Sequence, residues 1–301
     1  MNTKILRYAV RYGFFPVLYF GVTGSIIHLV SSGANTWLTL PFVIIFCAVM
    51  VGLGEYVQPY FVEWRPTKQE LKTDVVHYAV NYGVKQGAVL LMPIVISYVS
   101  FIGTAWPTGL PFLVQVIAAG LVFDFVLYWI HRLSHRDNFF WRLHTIHHSP
   151  NKLYLVNGEK RHPLHQLVEG VPALMALILL GVPGPVIVAF LTFLNLNMML
   201  QHANIDYRMG PLKYIIAGAE THRYHHFREV NGSRDMVNFA QVFVLWDLIF
   251  GTFHFSRPGV GLDQAGIKYL PKFPRNYTEH LRWPFSRSLR VQYFVSNEHR
   301  S

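Results

Sequence analysis

A single cysteine, Cys47, is the only thiol in this 301-residue chain. It excludes an internal disulfide framework, a cysteine zinc site, an iron–sulfur cluster and the attachment site of a c-type haem. Charge is scarce as well: 14% of the residues are Asp, Glu, Lys or Arg, and the acids are outnumbered 26 to 16. There is no Gly-rich dinucleotide fingerprint following a strand, no internal repeat and no low-complexity linker. The chain is instead 52% hydrophobic, with a mean hydropathy of +0.27. Such a composition points to a membrane. The net charge of +10 would suggest nucleic acid in a soluble protein, but where the charge lies argues against nucleic acid here.

Four apolar runs, Phe14–Val30, Trp37–Leu53, Val84–Ile102 and Leu110–Ile130, are each about long enough to cross some 30 Å of hydrocarbon. The first follows a basic start (Lys4, Arg7, Arg11), and a cleavable signal peptide is its alternative reading. The polar stretch Glu55–Tyr82 holds a helical-looking segment, TKQELKTDVVHYAVNYG, with His77 expected at the interface and His28 an ordinary residue of the first span. The turns at 31–36 and 103–109 carry no Lys or Arg, so the basic residues gather on the opposite side. This is the positive-inside pattern, and it predicts a cytosolic amino terminus. A further apolar stretch, Leu167–Leu200, is broken by GVPGP at 181–185 and reads as a helical hairpin that enters the membrane and returns. The expected fold is therefore all-α: an integral-membrane bundle of about four transmembrane helices, a re-entrant hairpin and a cytosolic, histidine-rich helical cap. Residues 1–256 are expected to form the membrane-embedded domain. Residues 257–301, where apolar and basic residues alternate, would be a cytosolic or interfacial cover of that domain.

Histidine is what the chain has in unusual grouping. His131 and His135 are one helical turn apart, and H-x-x-H-H then occurs twice, at His144, His147, His148 and at His222, His225, His226. Imidazole is the commonest metal ligand and is neutral often enough near pH 7 to offer a lone pair. Eight such rings exceed what one ion can take, so they imply two ions close together. Structural zinc sites use four ligands and catalytic ones three, so the surplus of nitrogen suits a redox pair such as iron better. His202, in QHANID at the end of the hairpin, is the natural ninth ligand. On the fourth span Asp124, Tyr128, His131 and His135 form one helical stripe. Asp124 is the only acid inside that span, and it is expected to accept the free ring N–H of a metal-bound histidine. Asp247 is expected to support the site in a similar way. Glu159, Glu220, His162 and His165 are weaker supporting candidates.

Together HRLSH, LHTIHHS, RHP and HRYHH followed by LWDLIFGTF resemble the fatty acid hydroxylase superfamily of integral-membrane non-haem di-iron proteins, which includes sterol desaturases, sterol methyl oxidases and alkylglycerol monooxygenase. The resemblance covers roughly residues 110–255 and implies two iron ions held by the eight box histidines, with His202 added. Two departures bear on substrate: Gln166 stands in RHPLHQ where the family carries an acid, and NGSRDMVNFA replaces the family's NYG after the third box. The activity implied is O₂-dependent attack on an unactivated C–H bond of a lipid, giving an alcohol or, by desaturation, an alkene. Electrons must then come from a separate reductase, ferredoxin or b-type cytochrome, because RHPL is not the HPGG motif of a fused cytochrome. Neutral imidazole is needed for ligation, so acid should release the metal. Two rivals are a membrane zinc hydrolase, separable by metal analysis, and a metal carrier or sensor, whose ligands would be strung through the spans rather than gathered at one face.

Overall fold

A computed structural model describes residues 3–99, 105–227, 237–256, 259, 261–267 and 273–286. In chain order the helices are α1 (Thr3–Ser31), α2 (Thr36–Val57), α3 (Lys68–Val99), α4 (Phe112–Arg136), α5 (Asn138–His148), α6 (Pro163–Leu179), α7 (Gly184–His202), α8 (Ala219–His225), α9 (Leu245–Ile249) and α10 (Tyr277–Arg282). Among the described residues there are only isolated β-bridges, such as Pro59 with Ile205, and no named strand. Five helices, α1 to α4 and α7, are long and apolar enough to cross a membrane, while α6 is shorter. The chain is a multi-pass helical membrane protein.

Two elements differ from the sequence expectation. The polar segment after Glu55 and the third apolar run are one continuous helix, α3. No proline interrupts it before Pro93, and Gly83 and Gly87 are tolerated within it. His77 consequently lies inside the protein, fully buried, with Nδ1 3.1 Å from the Arg161 carbonyl and Nε2 2.9 Å from Nδ1 of His280. It is not an interfacial residue. The hairpin arms, α6 and α7, are also unequal: α7 alone has the length of a crossing helix. Of the expected carboxy-terminal cover, α10 packs on α3 through the buried His280; residues 257–258, 260, 268–272 and 287–301 lie outside the described residues, as do the end of the third run at 100–102 and residues 228–236.

Helix α4 packs against α5, α6 and α7. It approaches α7 at Gly120, where an added Cβ would stand 2.6 Å from the Phe190 ring, so the two helices meet there only because no side chain intervenes. At its lower end α4 turns sharply into α5. Asp137 drives the turn by accepting the Phe139 and Phe140 amides at 2.9 and 3.1 Å, satisfying donors that a new helix leaves open. The consequence is functional: the histidines at the end of α4 and those of α5 fold onto one another. A 3₁₀ turn at Leu155–Glu159 lies against α7, and α8 packs on the same helix.

Candidate metal centre

All nine predicted ligands meet, and they form two groups. One holds His131, His135, His144, His148 and His225; the other holds His147, His202, His222 and His226. Within each group one ring nitrogen per residue lies within 4.8 Å of every other. The closest approaches are all between Nε2 atoms: His144 to His131 at 3.1 Å and to His148 at 3.0 Å, His222 to His202 at 3.0 Å and to His226 at 3.1 Å. Adjacent donors on one ion, with bonds of about 2.0–2.1 Å, stand about 3 Å apart, so these spacings fit two metal centres.

Protonation supports the same fit. Nδ1 of His131 donates to the Phe239 carbonyl at 2.8 Å, that of His225 to the Val237 carbonyl at 2.9 Å, and that of His202 faces Oδ1 of Asn157 at 3.2 Å. Each of these rings is thereby fixed in the tautomer that leaves Nε2 with a lone pair. Nε2 of His135 and His225, and both nitrogens of His147, are buried and find no hydrogen-bond partner among the described residues. Orphaned buried nitrogens are costly, and a cation in each group would answer Nε2 of His135 and His225 in one and a single nitrogen of His147 in the other. Burial also holds the imidazoles of His144, His147, His148, His222 and His226 well below their ordinary pKa and pushes His225 down to about 4, so all stay neutral donors.

The three residues expected to assist the centre act at one remove. Asp124 does not receive a ring N–H; its carboxylate accepts the backbone amides of Gln241, Val242 and Phe243 at 3.0, 3.1 and 2.7 Å. Asp247 accepts those of Phe239 and Ala240 at 2.8 and 3.1 Å, and burial pushes its carboxyl up to about 6. Residues 239–243 are thus held by two carboxylates, and the carbonyls of Phe239 and Val237 orient His131 and His225. Tyr128 belongs to the same network: Arg132 donates to its hydroxyl at 3.1 Å, which donates to Thr252 at 2.9 Å, which donates to Asp247 at 2.7 Å.

The weaker candidates fall elsewhere. Glu159 pairs with Lys85 at 2.7 Å, Glu220 accepts the Met209 amide at 2.6 Å, and His162 caps α6 by accepting the Leu164 amide at 3.1 Å. His165 stacks on His144 at 4.6 Å between ring centroids, with Nε2 2.9 Å from the Ser134 hydroxyl and Nδ1 3.6 Å from Glu169. His144, His165 and Glu169 form a third, smaller grouping of potential ligands, although Glu169 also holds Arg161 at 2.7 Å. Asn157 and Gln241, whose side-chain amide lies 2.9 Å from Nδ1 of His131, escape the sequence reading. The amide-rich run NLNMMLQH contained a hint: Asn197 and Gln201 both donate to the Gln241 carbonyl, at 2.6 and 2.7 Å.

A cavity of about 220 Å³ lies among α2, α3, α4, α6 and α7, one residue removed from the histidines. Leu40, Ile44, Leu127, Leu174 and Leu191 are among its apolar walls, and Gln241 and Glu169 connect it to the histidines. Gln166 also lines it.

A family model described as fatty acid hydroxylase matches residues 116–252, the stretch that carries every ligand candidate. The chain is 30% identical over 287 residues to ornithine lipid hydroxylase of Rhizobium tropici, covering 92% of this chain and 84% of that protein. It is 29% identical over 142 residues to methylsterol monooxygenase 1 of Rattus norvegicus, 46% of each chain, and 32% identical over 136 residues to human alkylglycerol monooxygenase, 45% of this chain and 30% of that one. No solved structure matches. With its histidine groups, its membrane helices and this near full-length relative, the chain belongs to the fatty acid hydroxylase family and is an oxidoreductase.

Proposed function

We propose that this protein is a di-iron lipid hydroxylase whose nine clustered histidines bind the two metal ions. What carries the reading is the pairing of two facing imidazole groups with an apolar cavity that opens among membrane helices. Bound there, two redox-active ions would supply the reductive activation of O₂ that the protein's own side chains cannot perform. The balance is one C–H bond, one O₂, two electrons and two protons in, and one alcohol and one water out. The electrons come from a separate donor, a reductase, ferredoxin or b-type cytochrome. The lipid substrate is supported by the names of the relatives, two of which contain a lipid or sterol.

The chain's residues have definable tasks in this scheme. The carbonyls of Phe239 and Val237 hold Nδ1 protons on His131 and His225, keeping Nε2 directed inward. Asp124 and Asp247 fix the segment bearing those carbonyls. Leu40, Ile44, Leu174 and Leu191 keep water from the approach and accept an alkyl chain from the bilayer. Residues 1–256 would form this domain, with 257–301 as its cover, and the basic amino terminus and histidine groups would face the cytosol.

The test is metal analysis of the purified protein combined with lipid mass spectrometry under ¹⁸O₂. Two irons per chain and one heavy oxygen gained by a membrane lipid are expected. Loss of two hydrogens without oxygen gain would mean desaturation. One zinc per chain would sink the oxygenase reading in favour of a hydrolase.

A further inference from the structure

A second cleft, of about 400 Å³, shares no lining residue with the apolar cavity and lies between Arg11 and Tyr12 of α1, residues 208–213, α8 and Phe255. Four cations line it: Arg11, Arg208, Lys213 and Arg223. The carboxylates that reach them are Asp206, paired with Arg11 and with Arg208 at 3.2 Å, and Glu220, 3.6 Å from both Arg208 and Lys213. Positive charge is therefore in excess by two among the described residues. Glu220 is further engaged by the Met209 amide.

Two of the four cations, Arg223 and Lys213, are buried, and Arg223 is the least neutralised. Arg223 is 2% exposed and forms no ion pair among the described residues. Its Nη2 donates to the carbonyls of Ala203 and Ile205, both at 2.8 Å, its guanidinium lies 3.9 Å from the Tyr60 ring centroid, and its Nε has no partner among the described residues. Lys213, 7% exposed, has its ammonium 3.8 Å from the Phe255 ring centroid. Carbonyls and a ring orient Arg223 without cancelling its charge, and Lys213 shares Glu220 with Arg208; an unpaired buried cation is expensive unless something of opposite sign joins it. The depth of the cleft suits a compact anion rather than a flat partner surface.

Its level in the molecule narrows the source. Arg11 and Tyr12 precede Phe14, where the apolar run of α1 begins, and Tyr8, Tyr12, Val17 and Phe20 on that helix are exposed. The cleft thus sits where hydrocarbon gives way to water, with an apolar helix face beside it for acyl chains. We propose that it binds a phosphate-type anion presented by the headgroup of an anionic membrane lipid, as a site separate from the metal centre and independent of the chemistry performed there.

The experiment uses the full chain in detergent, with native mass spectrometry counting bound lipid as phosphatidylglycerol or phosphatidylcholine is titrated. One phosphatidylglycerol per chain should be retained in preference to phosphatidylcholine. The double variant Arg208→Gln, Lys213→Gln should weaken that binding roughly tenfold or more, while Arg208→Lys, Lys213→Arg should keep it. Equal retention of the two lipids, or equal losses in both double variants, would overturn the site. Inorganic phosphate competing at concentrations below those of the lipid would overturn the lipid source. Iron content and activity are not read, so the result stands apart from the di-iron proposal.

Discussion

The two H-x-x-H-H boxes use the same spacing to supply opposite histidine groups. On α5, His144 and His148 join the five-histidine group and His147 crosses to the other; at α8, His222 and His226 join the four-histidine group and His225 crosses back. Residues four apart on a helix stand about 40° apart around its axis, whereas neighbours stand about 100° apart, so the middle histidine of each box cannot share a centre with the one beside it. The first histidine of each box, His144 or His222, has its Nε2 between two others, one from its own box and one from an adjacent helix. The groups differ in support. In the five-histidine group His131 and His225 bond backbone carbonyls, and in the four-histidine group His202 bonds the side chain of Asn157. The first group thus leans on backbone at two of its rings and the second on a replaceable side chain at one.

Double substitutions should break this comparison most sharply. His147→Ala with His226→Ala removes two ligands from one group and should leave about one metal per chain. His147→Ala with His148→Ala, although adjacent, strikes both groups and should leave almost none. Metal analysis of the two purified variants reads the difference, and equal losses would refute the crossed arrangement. Both should abolish oxidation of the lipid.

Asp124→Asn and Asp247→Asn come next. Each replaces a carboxylate that accepts two or three backbone amides with a group able to accept through one oxygen only. Activity should fall about 10–100-fold, the range usual for partners that orient metal ligands, and chelator should strip the five-histidine group sooner than in the parent. Asn157→Ala should instead sensitise the four-histidine group, with an effect near tenfold, the lower end of that range. Gly158→Ala should act in the same direction and more weakly. Its new Cβ would lie 3.2 Å from Cβ and Cγ of His202, a crowding that a small shift relieves. Chelator-release kinetics order these variants.

Helical spacing made the nine histidines legible in the sequence, and apolar length made the bundle legible. The division of the boxes between two centres was implicit in that spacing but needed the other helices to fix which ring faced which neighbour. The Phe239 and Val237 carbonyls were not legible, because every residue has a carbonyl and only its placement gives it a role. Asp124 was correctly singled out as a lone buried acid, yet its partners lie in a loop that no pattern in α4 announces. His77 was misplaced because the polar residues around it suggested an interface, whereas α3 runs on unbroken and one face of it is covered by Arg161 and α10.

The three hydrogen bonds that Asp124 accepts join residues 117 to 119 positions apart. During synthesis the fourth helix therefore has to wait, its carboxylate already inside the bilayer, until the loop that satisfies it has left the ribosome. Because that loop also aligns His131 and His225, the proposed binding geometry cannot precede near-complete translation, and ions bound there would be acquired by an already inserted polypeptide.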